Sequence, residues 1–162
     1  MKKDVKSLVE NFQATAKAVK LRLQKSGFVV PVAHKGGIKF LHIWIRKNNQ
    51  GFYDVVNLHN PKTVYAKGIS NHKLAVAVGI MYGKNAEVDM MYITKVDHEY
   101  WHHMSNIIQY RYSSEMALKN GDEIKSEIVL SRADYHLDAL QPIKRQVNSI
   151  LNDAEKLLFD NK

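Results

Sequence analysis

The sequence contains no cysteine. Disulfides, thiolate metal sites and cysteine nucleophiles are therefore excluded, and any metal would have to sit on His, Asp and Glu. Long apolar runs are also missing. The longest, FVVPVA at 28–33 and LAVAVGIMY at 74–82, fall far short of the roughly 20 residues that a membrane span needs. The start, MKKDVKSLVENF, is charged and lacks the apolar core of a signal peptide. The expected location is intracellular, or inside a particle assembled in a cell, and neither secreted nor transmembrane. No low-complexity tract occurs, and a hydrophobic content of 45% is too high for a disordered chain. There is no G-x-S-x-G elbow and no glycine-rich dinucleotide loop after a strand. Lys35-Gly36-Gly37 lacks the spacing of a phosphate loop and precedes a strand.

What is present is one domain's worth of chain, 162 residues, with a net charge of +8 that is unevenly placed. Residues 1–48 hold eleven basic and two acidic side chains, while the remaining 13 basic and 14 acidic residues nearly cancel. Such a basic segment suits an acidic partner: nucleic acid, an acidic protein face or a membrane surface. A solvated, lysine-rich helix face is the plainer reading. The contact candidates are Lys2, Lys3, Lys6, Lys17, Lys20, Arg22 and Lys25.

The chain divides into a basic amphipathic helix (1–27), a β-β-β-α unit (28–87) and a helical hairpin (88–162), all within one compact α+β domain. Val5, Val9, Phe12, Ala16, Val19 and Leu23 form the apolar stripe of the first helix, over 3–25. IKFLHIWIRK (38–47) alternates as one strand with apolar residues on both faces. NNQG then makes a turn, FYDVVNL (52–58) a second strand, HNPK a turn and TVYAKG (63–68) a third. This predicts a three-stranded antiparallel meander. Ser70 is the expected N-cap of a buried helix over 71–83. A long helix follows over 88–119, with Asp97 as an alternative start. Ile93, Val96, Tyr100, His103, Ile107 and Tyr110 form its stripe. After the turn Lys119-Asn120-Gly121-Asp122, a second long helix runs to about 159. Its stripe is Leu130–Ala133–Leu137–Leu140, then Ile143–Val147–Ile150–Ala154–Leu157, and Pro142 between the two runs should kink or break it.

One stretch carries potential chemistry. DHEYWHHM (97–104) contains HEYWH, which fits the zinc-hydrolase pattern H-E-x-x-H. Residues four apart share a helix face, so His98 and His102 could hold one ion while Glu99 deprotonates its bound water. A third ligand must come from elsewhere, since Ser105 and Ile108 stand where the longer metalloprotease pattern needs Gly and His. Folding the hairpin about Asn120–Gly121 puts Asp138 opposite His103 and near His102, with Asp134 one turn away. His136 then points away and is the poorer ligand. The competing reading is a histidine-rich helix face meeting acids across the hairpin, with no metal.

The sequence IKFLHIWIRKNNQGFYDVVN … GISNHKLAVAVGIMYGKN (38–85), followed by EYWHHMSNIIQYRYSSEMALKNGDEIKSEI (99–128), resembles small uncharacterised proteins of large contractile-tailed phages of marine bacteria. The resemblance covers about half of the chain and carries over no functional residues. It implies a phage protein without known enzymatic activity, a virion or assembly component. The preferred expectation is thus a non-enzymatic structural or interaction protein without cofactor, associating with itself or with other particle proteins through its helices. The alternatives are a zinc-dependent hydrolase using HEYWH and a nucleic-acid binder using the basic first third.

Overall fold

A computed structural model of the chain describes residues 28–160. The expected basic helix and its contact candidates, Lys2, Lys3, Lys6, Lys17, Lys20, Arg22 and Lys25, lie outside the described residues. The rest is α+β: a five-stranded antiparallel sheet, a helix on its face and two long helices packed on each other.

The strands are β1 (Val32–His34), β2 (Gly37–Phe40), β3 (Ile43–Lys47), β4 (Tyr53–Asn57) and β5 (Val64–Ile69), in sheet order β1-β2-β3-β4-β5. The meander has five strands where the sequence predicts three. Lys35 and Gly36 both have positive φ, 43° and 74°, as a two-residue type I′ hairpin turn requires, and this joins β1 to β2. The second difference is inside IKFLHIWIRK. Leu41 takes φ 53°, the chain reverses over Leu41-His42, and Phe40 pairs with Ile43. This explains why apolar residues sit at both parities. Phe40, Ile43 and Ile45 are buried together, and a straight strand would put Phe40 opposite the other two. The parity change is the mark of a two-residue turn. Further on, Asn48 accepts from the backbone N–H of Gln50 and Phe52, and Asn57 from those of His59 and Asn60. These side chains stand in for backbone partners in the two longer turns.

Helix α1 (His72–Gly83) lies on the sheet. Leu74, Ala75, Ala77, Val78 and Ile80 are buried, with Phe40, Ile43, Ile45 and Val55 in the same cluster. Each large aliphatic side chain buried this way contributes about 1.5–3 kcal/mol. Gly79 permits the close approach: a Cβ there would come within 2.5 Å of Ile45 Cδ1. The N-cap is Asn71, whose side chain accepts from Leu74 N at 3.2 Å, and not Ser70. Ser70 is taken by another partner. Asp97 Oδ1 accepts from Ser70 Oγ and Asn71 N, and Asp97 Oδ2 from Ser70 N.

Helix α2 (Met90–Lys119) starts at the N-cap Asp89, whose carboxylate accepts from Tyr92 N. Asp97 is therefore not a start but a buried residue on the third turn, holding the beginning of α1. The turn then falls where the sequence places it, with Gly121 at φ 76° and Asp122 capping α3 (Glu123–Leu158). Pro142 lies inside α3, which continues through it unbroken. Beside it, Gln141 Nε2 donates to the Leu137 carbonyl at 3.3 Å.

The unbroken helix fixes one phase for the whole seam. The buried residues of α3 are Ser126, Val129, Ala133, Leu140, Ile143, Val147, Ile150 and Ala154. With His136 supplying the step between Ala133 and Leu140, the spacing is a strict 3-4 repeat. Leu130, expected in the core, is 42% exposed. On α2 the expected stripe holds: Ile93, Val96 and Ile107 are buried, and Tyr100, His103 and Tyr110 are half-buried.

The body grips only the open end of this hairpin. Asp97 bonds Ser70 and Asn71, Trp101 meets Phe52 edge-on at 5.4 Å, and Val147, Leu151 and Leu158 line hollows shared with α1. With 30 residues in α2, the hairpin is about 45 Å long. Among the described residues, no helix is long and apolar enough to cross a membrane.

Candidate functional site

Midway along the hairpin three imidazoles meet. His103 Nδ1 and His136 Nδ1 are 2.9 Å apart across the seam, so one ring donates its N–H and the other accepts through its lone pair. His102 joins from the flank, its ring centroid 5.1 Å from that of His103 and 5.7 Å from that of His136. One ring nitrogen from each of the three lies within 4.8 Å of the others. Among the described residues, this is the single group of three or more His, Asp or Glu residues so arranged.

The rings are held from two sides. Tyr110, two turns beyond His103 on α2, stacks on His136 with 5.8 Å between centroids, and Tyr135 meets it edge-on at 5.3 Å. His103 and His136 are half-buried and His102 is exposed, so the cluster opens to solvent on the His102 side. The pKa of His103 is lowered from its ordinary value of 6.5 by desolvation first and then by the His102 and His136 rings, while Glu99 pulls the other way. A neutral imidazole, the form that binds metal, is thereby favoured.

The expected ligand set was His98, His102 and Asp138, with Glu99 as base. Of these, His102 belongs to the cluster. His98 and Asp138 are exposed and outside it, as is the half-buried Glu99. His136, expected to point away, faces the seam and touches His103. The expectation failed because folding the hairpin about Asn120–Gly121 sets Asp138 opposite His103, whereas the observed pairs His103–His136 and Ser114–Ser126 lie one or two residues short of that register. Carrying the Ile143–Val147–Ile150 repeat backward through Pro142 lands on Leu140 and then on His136. That repeat is the signal in the sequence that could have found the cluster.

Two further features line the hairpin. Ser114 Oγ and Ser126 Oγ share a hydrogen bond of 2.7 Å in the buried seam near the turn. Between α1 and the last turns of α3 lies a mostly apolar groove of about 350 Å³, walled by Val76, Ala77, Ile80, Leu151 and Leu158, with His72, Lys73 and Glu155 at hand. Its walls are those of a binding groove.

Comparison with protein-family models, with curated proteins and with solved structures yields no match to this chain.

Proposed function

We propose that this chain is a non-enzymatic interaction protein and that the far half of its helical hairpin is the contact surface. One observation carries the reading. Beyond the region gripped by the sheet and α1, the hairpin leaves large apolar side chains in water on the outside of both helices. Ile108, Tyr112, Ile124 and Tyr135 are each more than half exposed, and Met116, Leu118 and Ile128 add to them. Ile108, Tyr112 and Met116 are spaced i, i+4, i+8 and so run along one side of α2. Ile124 and Ile128 do the same on α3. Single exposed apolar residues are ordinary, but this many on one projecting pair of helices mark a surface that another protein covers.

A second copy of the chain is the simplest partner, since two hairpins laid side by side form a four-helix bundle with these residues inside. A particle component is the setting that the resemblance to phage proteins implies. Sedimentation velocity of the untagged chain over a range of concentrations tests this. The expected result is a concentration-dependent dimer or larger species, which Ile108→Glu with Ile128→Glu returns to monomer without lowering helix content. A wild-type chain that stays monomeric at the highest attainable concentration would refute self-association.

A further inference from the structure

We propose that His102, His103 and His136 form a binding site for a divalent late first-row transition ion, zinc or a close neighbour, that bridges the two helices of the hairpin. The inference is independent of the assembly reading, because none of the three ligands is among the contact residues and no partner chain is needed.

The donor set comes first. Imidazole nitrogens suit zinc, nickel, cobalt and copper, whereas calcium and magnesium prefer oxygen, so three histidines select the first group. The spacing follows. Two nitrogens bound to zinc at about 2.1 Å in tetrahedral geometry lie about 3.4 Å apart. His103 Nδ1 and His136 Nδ1 are 2.9 Å apart, within a few tenths of that distance. One nitrogen of His102 also lies within 4.8 Å of a nitrogen on each of the other two rings, and it belongs to the exposed side chain, the one free to swing inward by the remaining ångström or so. Orientation is already set for the partner on α3, because Tyr110 stacks on His136 and Tyr135 abuts it. Rings fixed before the ion arrives lose less rotamer freedom on binding.

A proton now joins His103 to His136. A cation entering between the nitrogens needs both lone pairs, so the donor ring must carry its proton on Nε2 instead, a change of tautomer with no net proton released from neutral rings. Three protein ligands leave a fourth position for water or for a side chain from outside. Glu99 stands one turn before His102 and His103 on α2, and its charge acts on His103. The site also ties α2 to α3 midway along the hairpin. Metal binding therefore stabilises the hairpin against parting at its middle.

The test uses the full chain without a histidine tag, stripped by chelator and titrated with Zn²⁺ against a chromophoric competitor. One ion per chain is expected, with a dissociation constant below about 10 μM and a melting temperature raised by roughly 5–10 °C at a hundredfold excess of free zinc over that constant. His136→Asn and, separately, His102→Ala should weaken binding by more than about 100-fold, beyond the 10–100-fold typical of an outer-shell partner. His98→Ala should leave it unchanged. Circular dichroism of each variant shows whether the hairpin persists, and His102, being exposed, can be removed without disturbing the seam. The absence of stoichiometric binding, unchanged affinity in the His102 and His136 variants, or loss of binding in His98→Ala would each overturn the assignment.

Discussion

Replacing Asp97 with alanine removes the acceptor that fastens α2 to the start of α1, and the structure gives the size of the effect. Asp97 is 3% exposed. Its carboxylate accepts from Ser70 Oγ at 2.8 Å, Ser70 N at 2.9 Å and Asn71 N at 3.1 Å. The alanine variant leaves two half-buried backbone N–H groups without acceptors, each costing about 1–3 kcal/mol. The serine hydroxyl can turn elsewhere, so the expected loss is about 3–5 kcal/mol, or about 10–15 °C in melting temperature for a chain of this length. Asp97→Asn discriminates further. Its single carbonyl oxygen can keep Ser70 Oγ and Asn71 N, which both reach Oδ1, while its amide group faces Ser70 N–H. One bond of three is lost, and the cost falls to about 1–3 kcal/mol. Urea unfolding with linear extrapolation ranks the three proteins. The reasoning fails if the alanine variant lies within about 1 kcal/mol of wild type, or if the asparagine variant is the less stable of the two. The contact also fixes how the hairpin leaves the body, so both variants should loosen amide-exchange protection at the start of α1 before the far end of the hairpin.

Three other expectations follow from single contacts. Ser114→Ala strands the Ser126 hydroxyl in the seam and should cost about 1–2 kcal/mol, whereas Ser114→Ala with Ser126→Ala should recover much of that; a double variant as unstable as the sum of the singles contradicts the pairing. Gly79→Ala gains helix propensity but drives a methyl group into Ile45, so a net loss of about 1–2 kcal/mol is expected in thermal melts, and a gain in stability would show that the sheet yields easily. His72, packed against the Tyr53 ring 4.9 Å away, has its pKa lowered from 6.5 by desolvation. The unfolded chain then binds more protons just below that value, so the contribution is fully present above about pH 6.5 and is lost as pH falls through the lowered folded value. Denaturation midpoints measured from pH 8 down to 5 should be flat at first and then decline more in wild type than in His72→Gln; equal declines would remove His72 as a cause.

Much of the architecture was legible in the chain because it rests on local rules. The long helices follow from apolar stripes, the hairpin turn from Asn120-Gly121-Asp122, and the last two strands from alternation between turn residues. What misled was phase. A turn at Leu41-His42 has no Gly or Pro to announce it, and only the parity of Phe40 against Ile43 gives it away. Likewise Pro142 reads as a break, and a break permits a new helical phase on its far side. Tertiary packing along α2 kept the helix whole, carried the C-terminal phase through and placed His136 in the seam beside the half-buried Leu137.

The sequence alone determined the chemistry on offer: imidazoles and carboxylates without thiols, rods with apolar stripes, and a cluster of histidines one turn past Asp97. Those are properties of composition and of residues a turn apart. Which nitrogens meet was decided only when two helices, joined by a three-residue link, set their register against each other. A shift of one or two residues along that seam exchanges Asp138 for His136; the repeat within α3 names the face that His136 shares, but the partner it meets on α2 is set by the register between the helices. The same holds for Asp97, whose role as the clasp between α2 and α1 depends on a contact spanning 27 residues. Distant contacts arise from packing the whole chain at once, which is why they appear first in the folded molecule.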